Sequence, residues 1–253
     1  MIMKKITLLL LLLSTFATAG TIDPSVPDSK YIEYGKKYEC VLPIAGIYAD
    51  KLNSQFKASC VVIDEYYVLT AAHVVEGSIT QHVIYKNEVY PCRVVVIPVE
   101  FKKDVSLGRS DIALAKLQRP LKLDFYPELY SADDEVGKVC GIAGYGFTGT
   151  LKTGANRPFD NIKRAGSNII DKTEDDFLIC STGRGTKTTL EFMIAPGDSG
   201  GGLFIDQKLA GINSRVFSTD GSANSDYGDE GVFTRISVYH EWIQNIKKLT
   251  KDL

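Results

Sequence analysis

The chain has 253 residues, 44% of them hydrophobic and 24% charged, with 29 Lys and Arg against 31 Asp and Glu and a formal net charge of -2. This is the balance of an ordinary globular protein large enough to bury a sizeable core. With the two signs nearly equal and no long run of either, charge gives no basis for nucleic acid or an anionic membrane surface as the main partner.

The first segment carries an address. Met1 to Lys5 supply a basic start, Ile6 to Leu13 an apolar stretch, and Ala17, Thr18 and Ala19 a small-residue cleavage signal, which together predict a secretory signal peptide over residues 1–19. The apolar run is well short of the ~20 residues that span a bilayer, and no later segment is a candidate span. The expected product is exported, extracellular or periplasmic, and carries no membrane attachment after cleavage. Residues 20–31 follow as a leader or short propeptide. Export puts Cys40, Cys60, Cys92, Cys140 and Cys180 in an oxidising compartment where bridges form. Five is odd, so at least one is left over, and the connectivity stays open. The spacing contains no CxxC or Cys/His cluster of the zinc-binding kind, so neither a metal nor another cofactor is expected.

Short β-branched runs then recur between turn residues: Ala58 to Ile63, Tyr67 to Thr70, Arg93 to Val99, Ile112 to Leu117, Lys138 to Ala143, Gly201 to Ile205, Lys208 to Arg215 and Gly231 to Thr234. They predict an all-β fold. Gln118 to Glu135, with Pro120 and Pro127, reads as a link between halves spanning 32–125 and 126–253. The Gly, Thr, Asn and Pro stretch from Gly146 to Pro158 reads as a long exposed loop. Only the end is clearly helical: Ser237 suits an N-cap, and Val238, Trp242, Ile243, Ile246 and Leu249 recur on one face beside Lys247, Lys248 and Lys251.

Ser199 lies in PGDSGGG, residues 196–202, a run so rich in glycine that the backbone turns sharply and comes close to something. A serine hydroxyl is a poor nucleophile until a base takes its proton, and the tetrahedral intermediate needs donors for its oxyanion. The amides of Gly197 and Ser199 are the candidate donors. A plain hairpin turn has a similar composition, but His73, one of three histidines, ends the apolar strand Tyr67 to Leu69 within TAAHVV, where an imidazole suits a general base. Asp111 opens the apolar strand of SDIALAKL. A carboxylate buried there is costly unless paired, and accepting a bond from His73 pairs it, fixes the tautomer and stabilises an imidazolium.

TAAHVV, SDIALAKL and PGDSGGG, in the order His, Asp, Ser, resemble the three signature segments of trypsin- and chymotrypsin-like serine peptidases. The likeness continues through Gly144-Tyr145-Gly146, Gly211-Ile212-Asn213-Ser214, Gly231-Val232-Phe233-Thr234-Arg235 and the terminal helix with Trp242, over roughly residues 32 to 250. It implies two six-stranded antiparallel β-barrels with a C-terminal α-helix, and His73, Asp111 and Ser199 as a triad in the cleft between them. The implied activity is endopeptidase cleavage of a protein or peptide substrate through an acyl-enzyme. Two half-cystines usual near the site are absent, replaced by Val74 and Ala195.

The resemblance further implies that Asp198 and Ser214 are structural supports, Asp198 binding a newly released N-terminal ammonium and shaping the oxyanion hole. The segment Tyr31 to Gly35 keeps only an Ile and a Gly of the family's IVGG start, after a basic cleavage point at Lys30; an internal cation is the alternative. The specificity pocket maps to Met193, Ile194, Ser214, Arg215, Val216 and Gly231. Met193 stands where trypsins carry an acidic residue, so a buried Lys or Arg finds no counter-charge there. Val216 replaces a glycine of large-pocket members, which favours small or medium aliphatic side chains. Gly231 leaves the opposite wall open, and Arg215, Asp226 or Asp229 can in principle reach in.

Two other functions share these residues. Gly197 to Gly201 also satisfies the GxSxG elbow of lipases and esterases, with His240 downstream, although that fold needs alternating strands and helices. A catalytically inactive binding protein on the same fold is the other.

Overall fold

The computed structural model describes residues 20–50, 52–101, 109–183 and 187–253; the signal peptide expected over residues 1–19 lies outside them. The chain begins with a short strand, β1 (Gly20–Ile22), and a helix, α1 (Asp28–Gly35). Six strands follow: β2 (Val41–Tyr48), β3 (Gln55–Val62), β4 (Tyr67–Thr70), β5 (Ser78–Tyr85), β6 (Glu88–Val96) and β7 (Ala113–Leu117), with a single helical turn, α2 (Ala72–Val75), after β4. They close into a barrel in the order β2-β3-β4-β7-β6-β5. Val61, Val68, Leu69, Val83, Leu114 and Leu117 fill its interior with no more than 1% exposure, the burial that drives closure. The runs called from the sequence correspond to β3, β4, β6 and β7. The missed strands are β2, interrupted in pattern by Pro43 and Gly46, and β5, whose residues are mostly half-exposed. Neither offers the apolar alternation that marks a strand.

The rest of the chain supplies β8 (Val139–Gly144), β9 (Thr148–Thr150), β10 (Gly154–Arg157), β11 (Arg164–Ile169), β12 (Lys172–Glu174), β13 (Phe177–Ser181), β14 (Phe192–Met193), β15 (Gly202–Ile205), β16 (Lys208–Phe217), β17 (Glu230–Arg235) and α3 (Ile236–Leu249). Seven of these form an antiparallel sheet in the order β11-β8-β15-β16-β17-β13-β12. Its two sides meet where Asn168 Nδ2 donates to the Ser181 carbonyl at 3.3 Å. Its core holds Ile142, Leu178, Phe192, Leu203 and Phe233. The architecture is the all-β chymotrypsin-like fold with a terminal helix.

Three expectations change. The stretch from Gly146 to Pro158 is not an exposed loop, because β9 and β10 join β1 and β14 in a four-stranded sheet, order β10-β9-β1-β14, in which Thr148 is fully buried. Residues 20–31 are likewise built in: α1 is tied to β11 by Arg164, whose guanidinium donates to both oxygens of Asp28 at 2.7 and 2.9 Å. In α3, Ser237 is not the cap. Arg235 holds that position, while the Ser237 hydroxyl donates to Glu135 at 3.0 Å. Ile236, Ile243 and Ile246 face the first barrel, whereas Val238 and Leu249, expected inward, are 50% and 77% exposed.

Candidate active site

The turn between β14 and β15 is fastened from below. Asp198 is fully buried, its Oδ1 accepting the Gly146 N–H at 2.7 Å and its Oδ2 the Ala195 N–H at 2.9 Å. Burial pushes its carboxyl up to about 7, against the opposing pull of those two amides. Asn213 Nδ2 donates to the Asp198 and Ala143 carbonyls at 3.0 and 3.1 Å, joining the turn to β16 and β8. From the other barrel, the Ser59 N–H donates to the Ser199 carbonyl at 2.9 Å, and Ser59 Oγ donates to Gly197 O at 3.0 Å. Gly197 has φ +93, and a Cβ there meets the Phe159 ring at 2.3 Å, so the position demands glycine. Among the described residues, the N–H groups of Gly197 and Ser199 donate to no protein acceptor.

His73 sits on α2, at the end of β4. Its Nε2 lies 3.0 Å from Ser199 Oγ and its Nδ1 2.8 Å from Asp111 Oδ2. The His73 backbone N–H donates to the other oxygen, Oδ1, at 2.9 Å, and Ser214 Oγ donates to Oδ2 at 2.5 Å. Asp111 is wholly buried. Burial alone raises a carboxyl pKa, but the bonds from His73 and Ser214 outweigh it and hold Asp111 below its usual value. Arg215 adds a more distant cation, its guanidinium 3.7 Å from Oδ2. The structure thus brings together all three residues read from separate motifs. His240 is on α3, and the histidine at Ser199 is His73; with an all-β fold, the lipase reading fails.

Beside Ser199 opens a pocket of about 210 Å³, lined by Ile194, Ala195, Pro196, Ser199, Ser214, Arg215, Val216 and Ala223. Four of the six expected pocket residues line it. Met193 and Gly231 lie beneath: Met193 is 1% exposed, and its sulfur is 3.0 Å from where a Cβ on Gly231 would stand. Asp226 and Asp229 are not in the lining; Asp229 is buried and accepts the Ser225 N–H at 2.8 Å.

Beyond Asp198 and Ser214, the sequence reading missed residues that hold the site. Ser110 has φ +62 and turns the chain so that Asp111 points inward; its N–H donates to Asp176 Oδ2 at 2.8 Å, and its hydroxyl accepts from Tyr239 at 2.9 Å. Thr234 donates to the Asp111 carbonyl at 2.8 Å. Ser59 links the first barrel to the turn that carries Ser199. A positive φ at serine leaves no trace in sequence, and these partners lie 66 to 140 positions away. Among the described residues, no group of three or more His, Cys, Asp or Glu is placed to hold a metal ion.

The family model for trypsin matches residues 45–243. The chain is 28% identical to the chymase of Papio hamadryas over 97% of its own length and 98% of the chymase. It is 29% identical to complement C1s subcomponent of Sus scrofa, over 74% of this chain and 32% of that longer protein. A solved structure described as HL collagenase superposes with a TM-score of 0.67 at 19% identity, covering 83% of this chain and 94% of the other. The chain belongs to the trypsin family and is a serine-type endopeptidase acting on protein or peptide substrates.

Proposed function

We propose that His73, Asp111 and Ser199 carry the reaction as a triad. The carrying observation is one imidazole within hydrogen-bonding distance of both the Ser199 hydroxyl, at 3.0 Å, and a buried carboxylate, at 2.8 Å. Ser199 Oγ attacks the scissile carbonyl carbon while its proton passes to His73 Nε2. The carbonyl oxygen, now anionic, takes the N–H groups of Gly197 and Ser199. Asp111 stabilises the imidazolium, which then protonates the departing amine. Water repeats the sequence on the acyl-enzyme. Labelling by a fluorophosphonate, abolished in Ser199→Ala, tests this; an unlabelled wild-type protein in cleaved form means an inactive binding protein.

On the acyl side of the cut we infer a preference for small or medium aliphatic residues. Met193 packs against Gly231 behind the lining, Val216 lines the wall, and among the described residues the one charged lining group is the cation Arg215. A panel of peptides differing at that residue should be cleaved faster at Ala, Val or Leu than at Arg. Faster cleavage after Arg sinks the reading.

We also infer export and an activating terminus different from the one at Tyr31. Tyr31 is in α1, fully buried, its hydroxyl donating to the Glu191 carbonyl at 3.1 Å. The amino-terminal segment linked to the Asp198 turn is Gly20–Ile22, through β14 and Phe147. The Gly20 N–H donates to Phe147 O at 2.7 Å, one residue along from Gly146, which holds Asp198. Cleavage after Ala19 converts that nitrogen into an ammonium that, on this reading, turns to the buried Asp198 carboxylate, whose hydrogen bonds among the described residues come from amides. On this reading, removal of the export signal is itself the activating cut. No helix among the described residues is long and apolar enough to cross a membrane.

A further inference from the structure

We propose that Cys140 and Cys180 form a disulfide that closes the C-terminal sheet, the other three cysteines remaining thiols. The two sulfurs are 3.9 Å apart, and both residues are 1% exposed in one apolar cluster with Ile142, Leu178 and Leu203. All five cysteines are reduced in this structure, and among the described residues this is the one sulfur pair within 4 Å. Cys40, Cys60 and Cys92 belong to the first barrel.

The position gives the bond a mechanical purpose. Cys140 is on β8 and Cys180 on β13, and in the sheet β15, β16 and β17 stand between them. No backbone ladder joins β11 and β8 to β13; this side of the sheet is held by Asn168 Nδ2 on Ser181 O at 3.3 Å, by the Asp171 N–H on Ile179 O at 2.8 Å, and by the Ser181 N–H and Oγ on Asp171 Oδ2 at 2.6 and 2.8 Å. Asn168 is also the cross-strand neighbour of Cys140. A covalent link beside it seals the seam and closes a 40-residue loop. Cys180 is in turn paired with Gly231, against which Met193 packs, so the link braces the strand behind the pocket beside Ser199.

The chemistry needs a two-electron oxidant of the disulfide class, a protein or glutathione disulfide. One thiolate attacks an oxidant sulfur and expels the first oxidant thiolate. The second cysteine thiolate then attacks the mixed disulfide at the cysteine sulfur and expels the other. Two protein thiols lose two hydrogens in total, and the oxidant leaves as two thiols. In the folded interior neither sulfur is accessible, and burial drives the Cys180 thiol far above its usual pKa, so thiolate is lacking. The bond therefore forms while the sheet is assembling and, once enclosed, resists reductant.

Refolding in a glutathione redox buffer, followed by alkylation in denaturant and peptide mapping without reduction, should yield one cross-linked species, Cys140 to Cys180, with Cys40, Cys60 and Cys92 alkylated. Alkylated Cys140 and Cys180, or a cross-link between other cysteines, overturns the proposal. Cys140→Ser, Cys180→Ser and the double variant should each lower Tm by a similar roughly 5–15 °C, and wild type refolded with reductant should match them. Additive losses in the double variant contradict a shared bond. Should the variants not fold, the wild-type map decides alone. The result is independent of the triad, since the map requires no activity.

Discussion

Asp111 has its two oxygens fixed by four protein contacts before any substrate arrives: the backbone and ring of His73, Ser214 Oγ and the guanidinium of Arg215. An imidazole held this way needs no reorganisation when it takes a proton, which is where such a site gains rate. Ser199→Ala and His73→Ala should each lower kcat by roughly 10⁵- to 10⁶-fold, and Asp111→Asn by roughly 10⁴-fold, with unchanged melting curves; steady-state kinetics on one peptide checks all three. Asp198 contributes in the opposite direction. Its folded pKa of about 7 lies above its ordinary 3.8, so between these values the folded chain holds a proton that the unfolded chain has lost. Stability therefore falls as pH rises from 3.8 to about 7. A chain extended by one methionine before Gly20 should show that fall in Tm. A chain beginning at Gly20, whose ammonium pairs with the carboxylate, should lose it and cleave substrate at least ~100-fold faster, a charge-assisted bond in a buried site being worth several kcal/mol. Equal activity in the two forms refutes the activating role of Gly20.

Strand β1 is the element on which that role depends. Its three residues pair antiparallel with β14 and parallel with β9. Thr21 is bonded through its hydroxyl to Ser225 O at 2.5 Å, so β1 ties three segments around the pocket together. Gly20 has no room for a side chain: a Cβ meets the Phe192 ring at 2.1 Å and the Met193 carbonyl at 2.9 Å. Gly20→Val should unseat β1, reducing kcat/KM at least ~10-fold while the first barrel stays folded; wild-type kinetics from correctly processed Gly20→Val removes β1 from the account. None of these elements has a sequence signature. β1, β9 and β14 are two or three residues long, below the length at which alternation can be read, and exist because each supplies the others' backbone partners. The terminal helix was legible as a helix from its period, but Val238 and Leu249 point to water because the contact with the first barrel is narrower than the apolar stripe.

Across the whole molecule, the two halves meet at the nucleophile and again behind it. Glu135, in the expected link, is fully buried and takes Arg235 bidentately at 2.8 and 2.6 Å and Ser237 at 3.0 Å, locking the link to the start of α3. Those bonds hold its carboxyl low despite burial, so their stabilisation is present above the unfolded pKa near 4.5 and is lost as pH falls below it. Glu135→Ala leaves Arg235 unpaired and should cost about 3 kcal/mol, read as a lower denaturation midpoint at pH 7 with little change in kcat for surviving folded enzyme. The sequence by itself determined the chemistry: a nucleophile in a glycine turn, an imidazole at a strand end and a carboxylate before an apolar strand are local patterns, because each part needs a particular backbone around it. It also determined most of the long core strands, whose apolar residues must find an interior. Only the tertiary structure decided which amino-terminal strand lies against β14, what lines the pocket beside Ser199 and which cysteines face each other. Each of those depends on a contact between segments far apart in the chain, such as Gly20 on Phe147, Met193 under Gly231 and Cys140 against Cys180, and no local propensity encodes a distance between strangers.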